Sequence, residues 1–198
     1  MKYLEFVKDN FDSPGFPVFR MSDLKTALGL KGIKPGYLRR MVNYLLHKRR
    51  IIRITKGTYT FHDDISVVGF AFTPFYYGLE NALTIRKLWD QNTNPAVITW
   101  RNIRTGQRRF GDGNYSVHRI SKRLFFGYEL IRYYDFWLPV SDCEKTLIDL
   151  VYFGHDIDEE VLAVLRKAID RAKLDEYLKS YGAVTRKAVY SQLHGVQK

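Results

Sequence analysis

This sequence has little cysteine and no long apolar run, and one stretch of it has no acidic residues. A single cysteine, Cys143, in 198 residues excludes an internal disulfide framework and a zinc site built from several thiolates of one chain. The longest apolar run, VVGFAF, is too short to cross a bilayer. The N-terminal MKYLEFVKDNF carries acids and has no small-residue cleavage site, so it does not match a signal peptide. We therefore expect a cytoplasmic protein that does not bind membranes.

Acidic residues are missing between Asp23 and Asp63, although the chain contains 21 Asp and Glu in all. Residues 1–62 hold 13 Lys and Arg against 4 acids, a balance of 13 − 4 = +9. The other residues hold 32 − 13 = 19 bases and 21 − 4 = 17 acids, so they contribute only +2 to the total of +11. This distribution predicts an anion-binding domain over residues 1–62 and a nearly neutral domain over residues 63–198.

The N-terminal domain follows the element order of a winged helix-turn-helix. Apolar residues recur at helical spacing over residues 2–10, and DSPGFP breaks that helix. Ser22 can cap a second helix, and a third helix is expected over about Lys34–Lys48. The alternating IIRITKGTYTF that follows predicts a two-stranded hairpin, which is where a wing belongs.

The third helix has one apolar stripe and one donor-rich face. A turn of about 100° per residue aligns five apolar residues for packing on the first two helices. They are Leu38, Met41, Val42, Leu45 and Leu46. Gly36, Arg40, Asn43 and His47 lie opposite. Arg and Asn are the side chains that pair with guanine and adenine, and a glycine at a helix start lets a phosphate approach the backbone.

From this face, the flanks of the helix and the hairpin we predict a DNA-binding set. Tyr37, Arg39, Arg40 and Asn43 are expected to reach the edges of the DNA bases. The lysines and arginines further along the chain, from Lys48 to Lys56, are expected to contact phosphates. The full set is Lys34, Gly36, Tyr37, Arg39, Arg40, Asn43, Tyr44, His47, Lys48, Arg49, Arg50, Arg53 and Lys56. The alternative is an ordinary solvated face, which is the default for a charged helix. Three features favour DNA instead: the missing acids, the presence of Asn, His and Tyr, and the hairpin that follows.

Residues 63–198 predict an α+β domain with a helical C-terminal part. A helix is expected over about Gly78–Leu88, and PAVITW, RRFGDGNYSVHRI and LFFGYEL are expected to form strands with glycine-rich turns. From SDCEKTLIDLVYF onwards the pattern is helical again.

Several motifs in this order resemble the AbiEi-type antitoxins of type IV abortive-infection toxin–antitoxin systems. The wing ends in Gly57-Thr58-Tyr59, and the helix of the second domain opens on Tyr76-Tyr77-Gly78-Leu79-Glu80-Asn81-Ala82-Leu83. Phe125-Phe126-Gly127 follows, and then a helix start at Asp142-Cys143-Glu144-Lys145-Thr146-Leu147-Ile148-Asp149. The resemblance covers about residues 1–155, and Asp142-Cys143 stands where the family has Ser-Pro.

The resemblance implies a repressor of its own operon that also counteracts a nucleotidyltransferase-like toxin. It implies a functional partnership with that toxin and no stable complex between the two proteins. The expected fold is the winged helix-turn-helix followed by the α+β domain. The resemblance assigns self-repression to the winged helix and antitoxin activity to the domain after Asp64.

Other polar groups have both a functional and a structural interpretation. Glu144, Lys145 and Asp149 can form a working site, but the favoured interpretation is structural. Ser141 or Asp142 can cap the helix, Ser141 and Glu144 fit a capping box, and Lys145 and Asp149 are an i,i+4 pair. Residues 155–160, HDIDEE, contain metal-ligand types, yet acids at a helix start also complement its dipole. Cys143 is expected to be an inert thiol, and no metal site is predicted.

A second basic cluster lies between residues 100 and 123. It comprises Arg101, Arg104, Arg108, Arg109, Arg119, Lys122 and Arg123. Interleaved aromatic residues are typical of a surface that binds nucleic acid or an acidic partner. A solvated hairpin explains the same pattern equally well.

No P-loop, GxSxG or HExxH motif is present in the sequence, so we expect no enzyme activity and no cofactor. The leading hypothesis is a DNA-binding autorepressor and antitoxin acting as a monomer or weak dimer. One alternative is a protein-interaction module that grips a toxin or other acidic protein directly. Another is a nucleic-acid-processing enzyme that uses His118 and Asp112.

Overall fold

The chain folds into two compact units. In the computed structural model, residues 3–12 and 17–194 are described. The first unit consists of Met1–Thr73 with Arg108–Tyr115, and the second of Pro74–Gln107 with Ser116–Lys198. Helices and strands are mixed along the chain, so the α+β fold class predicted from the sequence is confirmed.

The first unit contains the elements of a winged helix-turn-helix in the predicted order. Its helices are α1 (Leu4–Phe11), α2 (Met21–Gly29) and α3 (Pro35–His47). Its strands are β1 (Phe19–Arg20), β2 (Ile52–Thr55) and β3 (Thr58–Thr60), with the order β1-β3-β2 in an antiparallel sheet. The hairpin β2–β3 is the wing, and α3 is the second helix of the helix-turn-helix.

An apolar core holds these elements together. Val7 of α1, Leu24 and Leu28 of α2, and Phe19 of β1 are almost completely buried, and they form one cluster with the inner side of α3. Burying a side chain of this size stabilises a fold by about 1.5–3 kcal/mol. The outer side of α3 contributes nothing to this core and is therefore available for binding.

Two local predictions in this unit turn out differently. Helix α2 begins at Met21, so Ser22 is not its cap. The carboxylate of Asp23 instead accepts a hydrogen bond of 2.7 Å from the backbone N–H of Arg20, because β1 runs directly into the helix and leaves Arg20 at the cap position. Most of the predicted break DSPGFP, residues 13–16, lies outside the described residues.

The first unit also continues past the domain boundary expected after residue 62, to Thr73. The apolar segment Ile65–Phe72 forms a run of 3₁₀ turns whose side chains are mostly buried. The tip of a later hairpin, residues 108–115, joins the unit, and the hydroxyl of Tyr115 donates a hydrogen bond of 3.0 Å to the carbonyl of Ile54. Burial of apolar surface thus draws both segments to the wing.

A six-stranded mixed sheet is the centre of the second unit, although the hairpin end of its strands β6 and β7, residues 108–115, is counted with the first unit. Its strands are β4 (Tyr76–Tyr77), β5 (Ala96–Thr99), β6 (Gly106–Phe110), β7 (Gly113–Arg119), β8 (Tyr128–Tyr133) and β9 (Phe136–Ser141). They lie in the order β6-β7-β5-β4-β9-β8. Strands β4 and β9 are parallel, whereas β8 and β9 form an antiparallel hairpin.

Helices of the second unit pack with this sheet around one large apolar cluster. They are α4 (Leu79–Ile85), α5 (Cys143–Tyr152), α6 (Glu159–Ala168), α7 (Arg171–Leu178) and α8 (Ala183–His194). Helix α4 is shorter than the predicted Gly78–Leu88. Among the described residues, no helix is long and apolar enough to cross a membrane.

Two strands were not predicted. Strand β4 has only two residues, and β9 contains Pro139, which argues against a strand inside a sheet. Pro139 lies opposite Leu130 of β8, and an antiparallel ladder accepts proline where a pair of residues exchanges no hydrogen bonds. Strand β8 begins at Tyr128, so the first half of the predicted strand LFFGYEL is a turn instead.

Candidate nucleic-acid interface

The inner side of α3 anchors the helix. Leu38, Met41, Val42 and Leu45 are each 2% exposed or less and lie in the core of the first unit. Pro35 occupies the first turn, where its missing N–H costs nothing. Because these contacts fix α3 over about two turns, from Leu38 to Leu45, the opposite side chains project from a rigid element.

The outer side of α3 carries the residues predicted to contact bases. Gly36, Arg40, Asn43 and His47 are all exposed and follow one another along the axis of the helix. Arg39 and Tyr44 are exposed beside them. Tyr37 is half-buried, and its ring packs edge-on against Tyr3 with centroids 6.0 Å apart. Arg40 and Asn43 are thus free of the protein core, whereas Tyr37 also serves to pack α1.

The fold of the first unit does not require a glycine at position 36. Its φ is not in the left-handed region, and a Cβ built on it would meet nothing within 4 Å. It lies in the first turn of α3, at the rim of an open groove of ≈ 500 Å³ lined also by Lys34 and Arg40. A glycine here leaves the N–H groups of the helix start open to a phosphate.

At the other end of α3 the chain turns sharply. Arg50 N–H donates to the carbonyl of Leu45 at 2.9 Å, and Arg49 N–H donates to Leu46 at 3.0 Å, which is the pattern of a Schellman motif. Arg49 has φ = 51°, the left-handed conformation that favours glycine. The chain therefore retains an arginine at a position where glycine relieves strain. Lys48, Arg49 and Arg50 are all exposed.

The wing adds two cations. Arg53 on β2 and Lys56 in the hairpin turn are exposed. Gly57 completes the turn with φ = 78°, a conformation that a larger residue adopts only with strain. The residues predicted for DNA binding thus lie on α3, in the segments directly before and after it, and on the wing of one unit, with Tyr37 as the one half-buried member.

The second basic cluster does not belong to one unit. Arg108 and Arg109 lie in the first unit, and the other five residues lie in the second. Several members have contacts within their own unit: Arg119 donates to the Asn102 side chain at 2.8 Å, and Arg123 donates to the carbonyl of Ser180 at 3.3 Å. Lys122 lies 5.3 Å from the ring centroid of Trp100. These contacts fix part of the cluster, and its binding role stays a prediction.

A buried polar cluster surrounds the start of α5. Lys145 and Asp149 form an ion pair in which both side chains are completely buried. The hydroxyl of Tyr76 donates to Asp149 at 2.8 Å, and the Lys145 ammonium lies 5.3 Å from the Tyr76 ring and 5.7 Å from the Phe126 ring. The i,i+4 spacing predicted the pair, but helical periodicity gave no sign of its burial or of the aromatic rings around it.

Burial changes the acid–base properties of this cluster. It lowers the pKa of Lys145 and raises the pKa of Asp149, while the attraction between the two charges opposes both shifts. Burial and the neighbouring Asp149 raise the pKa of Tyr76 well above its usual value. With its charges paired and solvent excluded, the cluster has the properties of a structural element.

Gly127 closes this cluster from the sheet side. Its φ is +71°, and a Cβ built on it would lie 2.9 Å from the Cβ of Lys145 and 2.8 Å from the ring of Tyr177. Both neighbours belong to helices that the core holds in place, so neither can give way easily. Only glycine fits the backbone conformation and the space together.

Of the two caps predicted for α5, Asp142 is confirmed, whereas the capping box of Ser141 and Glu144 is wrong. Asp142 is the cap, and its carboxylate accepts from Lys145 N–H at 2.8 Å. Glu144 accepts instead from the backbone N–H of Asp170 at 2.7 Å and lies 3.1 Å from the ammonium of Lys173. Glu144 is drawn to α7 because the N–H of Asp170, at the cap of that helix, and the ammonium of Lys173, in its first turn, lie beside it. Ser141 shares a hydrogen bond of 2.7 Å with Thr146.

Cys143 and His118 have altered acidity for the same reason. Cys143 is buried, and burial raises the pKa of its thiol, which makes it less reactive at neutral pH. Burial and the neighbouring His155 lower the pKa of His118 to about 4. The His118 ring also lies 3.0 Å from the Ser116 hydroxyl. Across residues 3–12 and 17–194, no group of three or more His, Cys, Asp or Glu side chains is arranged to hold a metal ion.

Comparison with known proteins identifies a fold and no family. No protein-family model and no curated protein matches the chain. Among solved structures, the chain is similar to the crystal structure of the RV2827C protein from Mycobacterium tuberculosis, with a TM-score of 0.64 and 13% sequence identity. The match covers 98% of this chain and 77% of that one. At this level of identity, the chain and the RV2827C protein share a fold, and the likeness extends no further.

Proposed function

We propose that this protein is a DNA-binding transcriptional autorepressor that also serves as the antitoxin of a type IV toxin–antitoxin system. One observation carries the DNA-binding half: α3 exposes Arg40 and Asn43 on the side opposite its buried apolar stripe, in a stretch without acidic residues. Arg pairs with guanine and Asn with adenine in the major groove, which admits one α-helix. The wing and the distal end of α3 then supply cations for the phosphates on either side.

The first experiment compares Arg40→Ala and Asn43→Ala with the unchanged chain in an electrophoretic shift assay. The probe is duplex DNA from immediately upstream of the protein's own gene. We expect each substitution to weaken binding about 5- to 150-fold, the equivalent of about 1–3 kcal/mol per base contact. Lys187→Ala, which removes an exposed cation from α8, is the matched control and should bind normally. Undiminished binding by both α3 variants would refute the assignment of this face.

Gly36→Ala tests the approach of a phosphate to the start of α3. Because a Cβ at this position meets nothing in the chain, the substitution should leave the fold intact and slightly favour the helix. Binding to the same duplex should nevertheless weaken, since the methyl group occupies the space that the phosphate needs. A variant that binds as well as the unchanged chain would show that no phosphate approaches there.

The antitoxin half rests on the ordered motifs of residues 76–83, 125–127 and 142–149. Co-expression with a nucleotidyltransferase-like toxin from the neighbouring gene should restore growth, and Arg40→Ala should retain this protection while losing repression. Failure of the unchanged chain to protect would remove this half of the proposal. Stable co-elution of the two proteins from a sizing column would favour the alternative, a module that neutralises the toxin by direct contact.

A further inference from the structure

The hairpin of β8 and β9 ends its sheet with an open edge. Strand β8 is the last in the strand order, and among the described residues it pairs only with β9. All six side chains of β8 are exposed or half-buried. An edge strand of this length presents backbone N–H and C=O groups that can pair with another strand.

The pairing with β9 decides which groups of β8 point outwards. Residues in an antiparallel ladder alternate between pairs that exchange two hydrogen bonds and pairs that exchange none. Leu130 lies opposite Pro139, which has no N–H, so this pair is of the second kind. The backbone groups of Leu130, and by alternation those of Tyr128 and Arg132, therefore point away from β9 towards the open edge.

The same three residues share one face of the hairpin. Tyr128, Leu130 and Arg132 lie opposite Ser141, Pro139 and Trp137 respectively, and directly opposed residues project to the same side of a sheet. Leu130 is 64% exposed and Trp137 is 59% exposed. Neighbouring large apolar side chains with this exposure are typical of a surface that contacts another macromolecule.

We propose that β8 pairs antiparallel with β8 of a second copy of the chain, about a two-fold axis at Leu130. Both strands offer the backbone groups of their even-numbered residues, so a two-fold arrangement brings even-numbered residues opposite one another. In the register centred on Leu130, that residue faces Leu130 of the second copy, and Tyr128 faces Arg132 of the second copy. Three pairs of residues then exchange backbone hydrogen bonds, and no outward group of β8 is left unpaired.

Side-chain chemistry favours a second copy over an unrelated strand. Arg132 lies opposite Trp137 of its own chain, and in this register it also lies opposite Tyr128 of the second copy. The Tyr128 ring is stacked on Tyr76 on one face, and its other face can take a guanidinium. The two Leu130 side chains cover each other at the axis. In this register Leu130 thus meets an apolar side chain and Arg132 meets an aromatic one, although both copies contribute the same strand.

The charge of the hairpin also permits two copies to approach. Residues 128–141 contain one base, Arg132, and two acids, Glu129 and Asp135, a balance of 1 − 2 = −1. The whole chain carries +11, so a contact between its basic surfaces would be repulsive. A single pair of strands buries a small area, and a weak, concentration-dependent dimer is the expected result.

Cysteine cross-linking tests the register even when the dimer is weak. In a background carrying Cys143→Ser, the chain with Leu130→Cys should form a disulfide-linked dimer, because Cα atoms of a hydrogen-bonded pair lie about 5.5 Å apart, within the roughly 4.4–6.8 Å of disulfides. Tyr128→Cys and Arg132→Cys are matched controls. Each is displaced by four residues, or about 14 Å along the strand, from its own copy, and neither should cross-link alone.

Mixing the two control variants should produce the cross-link that each lacks alone, because position 128 faces position 132 of the second copy. Cross-linking of Leu130→Cys and of this mixture, but of neither control alone, is the expected result. Equal cross-linking at all three positions, or none in any sample, would overturn the proposal and leave the edge to a different polypeptide.

A charge swap provides a test without oxidation. Sedimentation of the unchanged chain should report a dimer that grows with concentration, and Leu130→Lys or Leu130→Glu should each be monomeric because like charges face each other at the axis. An equimolar mixture of the two variants should dimerise again. An unchanged chain that stays monomeric, variants that remain dimeric, or a mixture that does not associate would each contradict the interface.

Discussion

Helices α3 and α5 use charged residues in opposite ways. Helix α3 exposes its arginines and packs only apolar side chains inwards, whereas α5 buries Lys145 and Asp149 completely. The charges of α3 keep their hydration and contribute little to the fold, so they are available to a ligand. The charges of α5 have lost their hydration and depend on each other and on Tyr76. Substitutions should therefore affect binding in α3 and stability in α5.

The largest effect is expected from breaking the buried pair. Asp149→Asn should lower the free energy of unfolding by about 3–5 kcal/mol, because it leaves Lys145 buried without a counter-charge. Urea denaturation of the single variant and of Lys145→Met with Asp149→Leu measures this. The double variant should recover much of the loss, because it removes both charges. Tyr76→Phe is the milder control, with a loss of about 1 kcal/mol for one hydrogen bond.

Removing a charge from α3 should weaken DNA binding and leave the free energy of unfolding almost unchanged. Arg40→Ala should change the free energy of unfolding by less than about 0.5 kcal/mol, since the side chain is exposed, while weakening DNA binding about 5-fold or more. Denaturation and shift assays on the same preparation provide both values. A large loss of stability would mean that the charge of Arg40 contributes to the fold, as the charges of Lys145 and Asp149 do.

At the C-terminal end of α3, one substitution should change stability and DNA binding in opposite directions. Arg49→Gly should stabilise the first unit by about 1 kcal/mol, because the residue sits at φ = 51°. The same change removes one cation, so the slope of log K against log salt should become shallower by about 0.9 if Arg49 contacts a phosphate. A higher melting temperature together with weaker salt dependence is the expected pair of results. Lys87→Gly, at φ = 58° in the second unit, is the matched control for strain alone.

Acid should also weaken the fold, through His118. The pKa of His118 in the fold is about 4, below the value of 6.5 for an unperturbed histidine, so the unfolded chain binds more protons between these pH values. The contribution of neutral His118 to the free energy of unfolding should be complete above pH 6.5 and should be lost as the pH falls towards 4. His118→Gln removes this contribution. The urea midpoint of the variant should therefore change less between pH 7 and pH 5 than that of the unchanged chain.

Local patterns predicted the first unit far better than the second. The amphipathic period of α3 identified its buried and exposed residues, because a helix on the surface of a small core has one side in water. The period said nothing of the burial of Lys145, since residues distant in sequence, Tyr76 and Phe126, form its surroundings. Strand β9 was not predicted because it contains Pro139. Whether a strand can contain a proline depends on the pairing with its neighbour, here β8, which the local sequence does not reveal.

Gly127 gives the scattered motifs of the second domain a common physical basis. Phe126 and Tyr76 border the Lys145 ammonium, and Gly127 leaves room for the lysine stem. The segments at residues 76–83, 125–127 and 142–149 therefore build one enclosure, although long stretches of sequence separate them. In proteins of this fold, a change in one of these segments should be accompanied by compensating changes in the other two, and their joint presence should mark a chain that buries a lysine.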